Sequence, residues 1–344
     1  MKFVTVFLRY DYGDKNRGDS LEYRNWYLGL KELGVDVFPF WYDEYLRNNK
    51  KQELQRDVKS FVDGVNPDLV FFILMKNEFS FETLDYLKNR YVTVNWFCDD
   101  QWRFDSFTRF FAPYFSICLT TDKFAISKYK GIGCDRVFLV PPASFMLDKN
   151  IDFDNIDYEF DVSFVGGWSR YRQWVINKLL KHGIHVECFG SGWGNGRVSF
   201  ERMAEIFKTS RVNLNISNSV SFDIRFVFSG VKNFGFFMKH MLYEGGGKFA
   251  EQIKGRNFEI PSLGGFQLTN YVPGLEDYLT IGEEVATYSS VDELALKIKY
   301  YLEDEYGVLE RKEIMVNGYK RALEDDFTFT HRLKEIFKKT GIKL

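Results

Sequence analysis

The sequence predicts an α/β protein built from two doubly wound parallel sheets that face one another across a cleft. Three observations predict it. At 344 residues the chain exceeds one comfortable core and fits two domains of about 150 residues each. Short β-branched and aromatic runs alternate with stretches of helical spacing, as in strands covered on both faces by helices. The alternation stops at the polar, acidic stretch 148–159 (DKNIDFDNIDYE) and then restarts, as it would across a linker.

The elements follow in order. KFVTVFL (2–8) is a continuous apolar run, hence a buried strand. SLEYRNWYLGLKELG is a helix that Gly34 stops. VDVFPFW is a strand whose Pro39 points to an edge or a strand end. A charged helix over 44–64 leads to the strand PDLVFFIL (67–74), the helix FETLDYLKNR and the strand YVTVNWF. FSICLTT, DKFAISKYKGIG and RVFLVPPA close the first half as strand, helix and strand. In the second half FDVSFVGG runs into a glycine turn and the helix SRYRQWVINKLLKHG. IHVECFG, RVNLNIS, FQLTN and VATYS are strands, and Ser199 and Ser290 are expected N-caps of the helices that they precede. The resulting layout is a domain over 1–147, a linker over 148–159, a domain over 160–325 and a final helix, 326–344, packing back on the first domain. The stretch 219–250 is too long for an ordinary connection, and its aromatics mixed with Lys and Arg suit an amphipathic hairpin or helix that covers the cleft, touches a membrane or partner, or packs on its own domain.

Composition narrows the classes. A net charge of −2 argues against a dedicated or stable nucleic-acid binder. Four scattered cysteines without C-x-x-C spacing suggest free thiols in a reducing compartment, and the four histidines lack metal-ligand spacing, so no metal site is expected. No apolar run approaches 18 residues and the N-terminus lacks a signal-peptide pattern. The expected setting is the cytoplasm, with at most peripheral contact at the inner membrane face. The 36 Phe, 20 Tyr and 7 Trp could build a large aromatic core or supply stacking platforms for a base or sugar ring.

Residues 251–270 (EQIKGRNFEIPSLGGFQLTN) concentrate the chemistry. On a helix over 251–263, Glu251 and Glu259 differ by only about 80° and stand roughly 12 Å apart along the axis, so one long ligand could meet both. Lys254 and Arg256 would point about 200° apart, and both reach one ligand only if they lie on the loop feeding the helix. Cations and backbone N–H groups at a strand mouth neutralise a diphosphate, and a carboxylate accepts from ribose hydroxyls. An ion-paired surface helix is the simpler alternative.

The run QIKGRNFEIPSLGGFQLTNYVPGLEDYLTIGEEVATYSSVDELALKIKYYL, with DVSFVGGWS and VNLNIS before it, resembles the C-terminal signature of group-1-like glycosyltransferases that include CgeB-type proteins. The likeness spans about 165–325, while the N-terminal half is similar mainly in layout. It implies a GT-B fold of two Rossmann-like domains, acceptor side first and nucleotide-sugar donor side second. It also implies metal-independent transfer of a hexosyl or related group, with no cofactor beyond a UDP- or GDP-type nucleotide sugar as substrate. The acceptor would be a glycan, a protein or a lipid-linked sugar.

Carried over by that resemblance, Glu259 would hold the ribose, Lys254 and Arg256 the donor phosphates, and Gly166 and Gly167 the close-approach turn. Glu251 sits at the first position of the E-x(7)-E spacing of retaining enzymes and is the catalytic candidate. From the residues alone, Arg170 and Arg172 could add charge at the glycine turn, with Arg170 taken into the donor set. Asn215, Ser217 and Asn218 end a strand facing the cleft and could bind sugar hydroxyls or serve as caps and turn residues, and Gly264 and Gly265 flank the mouth of FQLTN. Asp99 and Asp100 in FCDDQW are candidates for a general base acting on an acceptor hydroxyl. The rivals are a nucleotide-sugar epimerase or hydrolase on the same fold, and a sugar-nucleotide-binding protein without turnover.

Overall fold

The computed structural model describes residues 1–243 and 247–342. The chain forms two compact units, Met1–Pro141 with Thr328–Leu344, and Pro142–Phe327. The first holds a six-stranded sheet of β1 (Lys2–Phe7), β2 (Asp36–Trp41), β3 (Leu69–Phe72), β4 (Val92–Phe97), β5 (Ile117–Thr120) and β6 (Val137–Leu139). Its order is β2-β1-β3-β4-β5-β6, and every pairing is parallel. Pro39 lies in β2, the edge strand, opposite Thr5. An edge strand is where a missing N–H costs least.

Aromatic rings build much of this core. Trp26 is fully buried, with Phe71, Trp96 and Phe329 rings at 5.2, 4.8 and 5.1 Å. Edge-to-face packing of this kind adds to the roughly 1.5–3 kcal/mol that burying each large apolar side chain contributes. The final helix, Phe329–Thr340, belongs to this unit. It buries Phe329, Leu333, Ile336 and Phe337, a helical i, i+4, i+7, i+8 stripe, and Phe337 meets Phe3 at 5.6 Å.

The second unit carries a five-stranded sheet of β7 (Phe160–Val165), β8 (Glu187–Phe189), β9 (Ser210–Asn215), β10 (Gln267–Asn270) and β11 (Ala286–Tyr288). The order is β11-β10-β9-β7-β8, again all parallel. Ser199 and Ser290 cap their helices as expected, accepting from the backbone N–H of Arg202 and Glu293. Residues 148–159 pack as part of this unit. Asp148 meets Lys208, Phe153 stacks edge-on with Tyr319 at 5.2 Å, and Asp154 pairs with Lys312. The 219–250 stretch supplies a short helix, Ile224–Val227, and a longer one, Val231–Tyr243. Among the described residues, no helix is long and apolar enough to cross a membrane.

The helix expected over 251–263 begins only at Arg256 and ends at Ser262, while Glu251–Lys254 are irregular. Gly255 is its N-cap, and Pro261 sits inside its last turn. The 12 Å axial separation of Glu251 and Glu259 therefore does not apply. Lys254 lies on the feeding loop, and Arg256 is the first helical residue.

Candidate functional site

In parallel sheets the carboxyl ends of the strands leave loop backbone and side chains open to a ligand. In the second unit the ends of β7, β9 and β10 lie side by side and gather most of the expected donor set.

Arg256 reaches the end of β7. Its Nε donates to the Val165 carbonyl at 3.2 Å, its Nη1 pairs with the Glu259 carboxylate, and its guanidinium lies 5.5 Å from the Phe207 ring. Its side chain stays 30% exposed, and Nη2 has no partner among the described residues. Glu259 itself is buried, held between Arg256 and Gly255.

Arg172, on the helix Arg170–Lys181, gathers four main-chain carbonyls. It donates to Gly167 at 2.8 Å, Ile216 at 2.8 Å, Ser217 at 3.1 Å and Asn218 at 3.2 Å. No carboxylate pairs with it among the described residues. Burial lowers its pKa to about 10, and the nearby charge of Arg256 pushes the same way. Four of its five N–H groups are thus committed to joining the β7 and β9 loops. Arg170 instead turns to a separate surface cavity beside Trp168, Lys178 and Lys181. The adjacent positive side chain at the strand ends is therefore Arg172.

Glu251 lies over the ends of β9 and β10. Its Oε2 accepts from Ser217 Oγ at 2.9 Å and Asn270 Nδ2 at 2.6 Å, while Asn270 Oδ1 accepts from the Ser217 N–H. Loss of hydration raises the Glu251 pKa against these hydrogen bonds and the charge of Lys254. Asn215 has a buried Nδ2 without a partner among the described residues, and its carbonyl accepts from Tyr288. Asn218, a candidate for sugar hydroxyls, donates its Nδ2 to the Phe249 carbonyl at 3.2 Å, while Asn270 is a residue that the sequence reading did not single out. Its position at the carboxyl end of a parallel strand is the signal that could have found Asn270.

The glycine turn is fixed by the loop after β8. Gly166 accepts from the Trp193 indole N–H at 2.9 Å and donates to Phe189, and Gly167 faces open space. Trp193 thus braces the turn. Gly190, with φ +132°, lies so close that a Cβ would collide with the Gly166 carbonyl. Gly190→Ala should cost about 2 kcal/mol from strain and overlap. Urea denaturation measures it, and a loss below roughly 0.5 kcal/mol would contradict the packing.

Two expectations need correction. Gly264 and Gly265 precede β10 and are buried at its amino end, away from the strand mouths. A Cβ on Gly264 would strike Ile151, and one on Gly265 would come within 2.7 Å of Asn213 and the Phe207 carbonyl. Both are packing glycines. In the first unit Asp100 is also removed as a base. It is 1% exposed and accepts from Thr108, Thr120 and Tyr129 hydroxyls at 2.7, 2.6 and 2.7 Å. Asp99, in the left-handed region at φ 65°, remains partly exposed at the end of β4. The ends of β1 and β2 open onto a cavity of about 510 Å³ lined by Arg9, Tyr10, Trp41 and Asp43. Among the described residues, no group of three or more His, Cys, Asp or Glu is gathered to hold a metal ion.

Residues 170–338 match a family model described as glycosyl transferase-like. No curated protein matches the sequence. The fold resembles a sucrose-phosphate synthase from Thermosynechococcus elongatus, with TM-score 0.64, 10% identity and 99% of each chain covered. It also resembles a glycosyltransferase from Rickettsia africae, with TM-score 0.62, 10% identity, and 99% of this chain and 98% of that one covered. Anabaena HepE, solved in complex with UDP-glucose, is similar at TM-score 0.59 and 11% identity over 99% of each chain. The architecture is therefore the GT-B one, two parallel α/β sheets across nearly the whole chain.

Proposed function

We propose that the protein is a glycosyltransferase that moves a hexosyl or related sugar from a UDP- or GDP-type donor to an acceptor hydroxyl. The observation that carries this reading is Arg256, a partly exposed guanidinium held on the Val165 carbonyl at the carboxyl end of β7, two residues before the open Gly167. The family match over 170–338 and the resemblance to a protein solved with UDP-glucose support it.

In the reaction the bond from the anomeric carbon to the diphosphate breaks as the acceptor oxygen bonds to that carbon. The acceptor proton passes to a base or to the departing phosphate. Arg256, Lys254 and the field of Arg172 meet the charge that builds on the leaving diphosphate, so the reaction is read as metal-independent. Glu259 accepts from the ribose hydroxyls, exchanging part of its pairing with Arg256 for them. Glu251, oriented by Ser217 and Asn270, faces the sugar, and the anomeric configuration is retained. A glycan, protein or lipid-linked sugar serves as acceptor on the side of the first unit. Free cysteines at all four positions fit a reducing, cytoplasmic setting.

A thermal-shift series against UDP, GDP, dTDP, CDP and their sugars tests the donor class. The correct nucleotide at 100 times its Kd should add about 2.7 kcal/mol of apparent stability. No shift with any of them would sink the reading. Product analysis separates transfer from epimerisation, and activity retained in EDTA with retained anomeric configuration tests the finer points.

A further inference from the structure

The helices Arg170–Lys181 and Val231–Tyr243 pack together in the second unit, and neither contains an Asp or Glu. The wider stretches 166–186 and 224–243 also lack carboxylates, yet carry Arg170, Arg172, Lys178, Lys181, Arg225, Lys232 and Lys239. That is unusual in a chain with 48 acidic residues and a net charge of −2. Arg225 is neutralised by Asp223 and Asp292. Arg170, Lys178, Lys181, Lys232 and Lys239 form no ion pair among the described residues.

Large apolar side chains stand in solvent beside these cations. Val231 is 89% exposed, Phe228 72%, Leu242 71% and Ile224 70%, and the Phe228 ring stacks on Phe234 at 6.0 Å. Between the two helical segments lies a cavity of about 400 Å³, lined by Trp168, Arg170, Lys178, Lys181, Ser229 and Asn233 among others. In the sequence, Ser229 and Asn233 of this lining alternate with Phe228, Val231 and Phe234. Isolated exposed apolar residues are ordinary, but a run of them on one element marks an interaction surface.

We propose that this face docks on an anionic phospholipid bilayer. Charge complementarity selects the occupant. Phe228, Val231 and their neighbours enter the headgroup boundary, while Lys178, Lys181, Lys232 and Lys239 meet lipid phosphates. Lys178 and Lys181 both line the cavity, so a headgroup phosphate entering it would meet both charges. This inference goes beyond sugar transfer and does not depend on it.

Cosedimentation of the full chain with vesicles tests it directly. Vesicles of phosphatidylcholine with 30% phosphatidylglycerol should bind about tenfold more tightly than pure phosphatidylcholine, and about 0.5 M salt should remove most of the difference. Phe228→Ser/Val231→Ser and Lys178→Gln/Lys181→Gln should each weaken that binding about fivefold or more. All four residues lie outside the donor set, so thermal shift with nucleotide should be unchanged in both variants. Failure to bind either vesicle overturns the proposal. Equal, salt-insensitive binding to both vesicles overturns it as well. So does a concentration-dependent dimer that Phe228→Ser/Val231→Ser abolishes while vesicle binding is absent.

Discussion

Replacing Arg256 by alanine should lower kcat/KM for sugar transfer by about 10²–10³, the usual cost of losing one preorganised donor to developing negative charge. The same substitution strands Glu259, which is buried and paired with Arg256. An unpaired buried carboxylate costs roughly 1–3 kcal/mol, so Arg256→Ala should also unfold more easily. The two effects separate in the double variant. Arg256→Ala/Glu259→Gln should recover most of the stability while turnover stays low. Arg256→Lys should restore part of the activity, since a point charge remains but the fork that also holds Val165 is lost. Steady-state kinetics with urea denaturation on the three variants measures this. Full activity in the stabilised double variant would remove Arg256 from the donor site.

Stability should fall as pH rises from about 4 to 7, through two buried carboxyls of the first unit. Burial raises Asp100 from its ordinary 3.8 to about 6, against the hydrogen bonds from Thr120, Thr108 and Tyr129. Burial likewise raises Glu22 from 4.5 to about 7, against hydrogen bonds from its own N–H and Ser20. Both folded-state values lie above the unfolded ones, so the native chain binds more protons in this window. The slope of stability with pH is then negative. The contribution is complete below about pH 4 and lost as pH passes through 6 and 7. At 1.36 kcal/mol per unit, each group accounts for up to about 3 kcal/mol. Asp100→Asn and Glu22→Gln should each flatten their part of the profile and narrow the gap between pH 5 and pH 8. Urea midpoints at half-unit intervals measure it. Variants whose profiles run parallel to the unmodified protein's would refute the assignment.

Much of the proposed donor site is legible in the sequence. Lys254, Arg256 and Glu259 stand out as a run of charge before a strand, and the glycine turn of Gly166 and Gly167 stands out as a break between strand and helix. Reading 251–263 as one helix failed because periodicity reports which residues can share a face, not where the first turn begins. Gly255 starts that turn, which leaves Glu251 free to drop onto Ser217 and Asn270. Taking Gly264 and Gly265 as ligand contacts failed for a different reason. A glycine pair before a strand looks the same whether the backbone approaches a ligand or another backbone, and here the neighbours are Ile151, Asn213 and Phe207.

The sequence by itself determined the alternation of strands and helices, the capping serines and the edge position of Pro39, because all are written in local spacing. Only the tertiary structure decided which charges meet. Arg170 and Arg172 differ by about 200° around their helix, and the orientation of that helix on the sheet selects Arg172 for the strand ends. Ser217 meets Glu251 and Asn270 from 34 and 53 residues away because β9 and β10 pair in parallel with their carboxyl ends level. Asp100 is buried because Thr108, Thr120 and Tyr129 converge on it from separate elements. Local patterns specify elements, while the register between elements, fixed by packing across the whole unit, specifies the site.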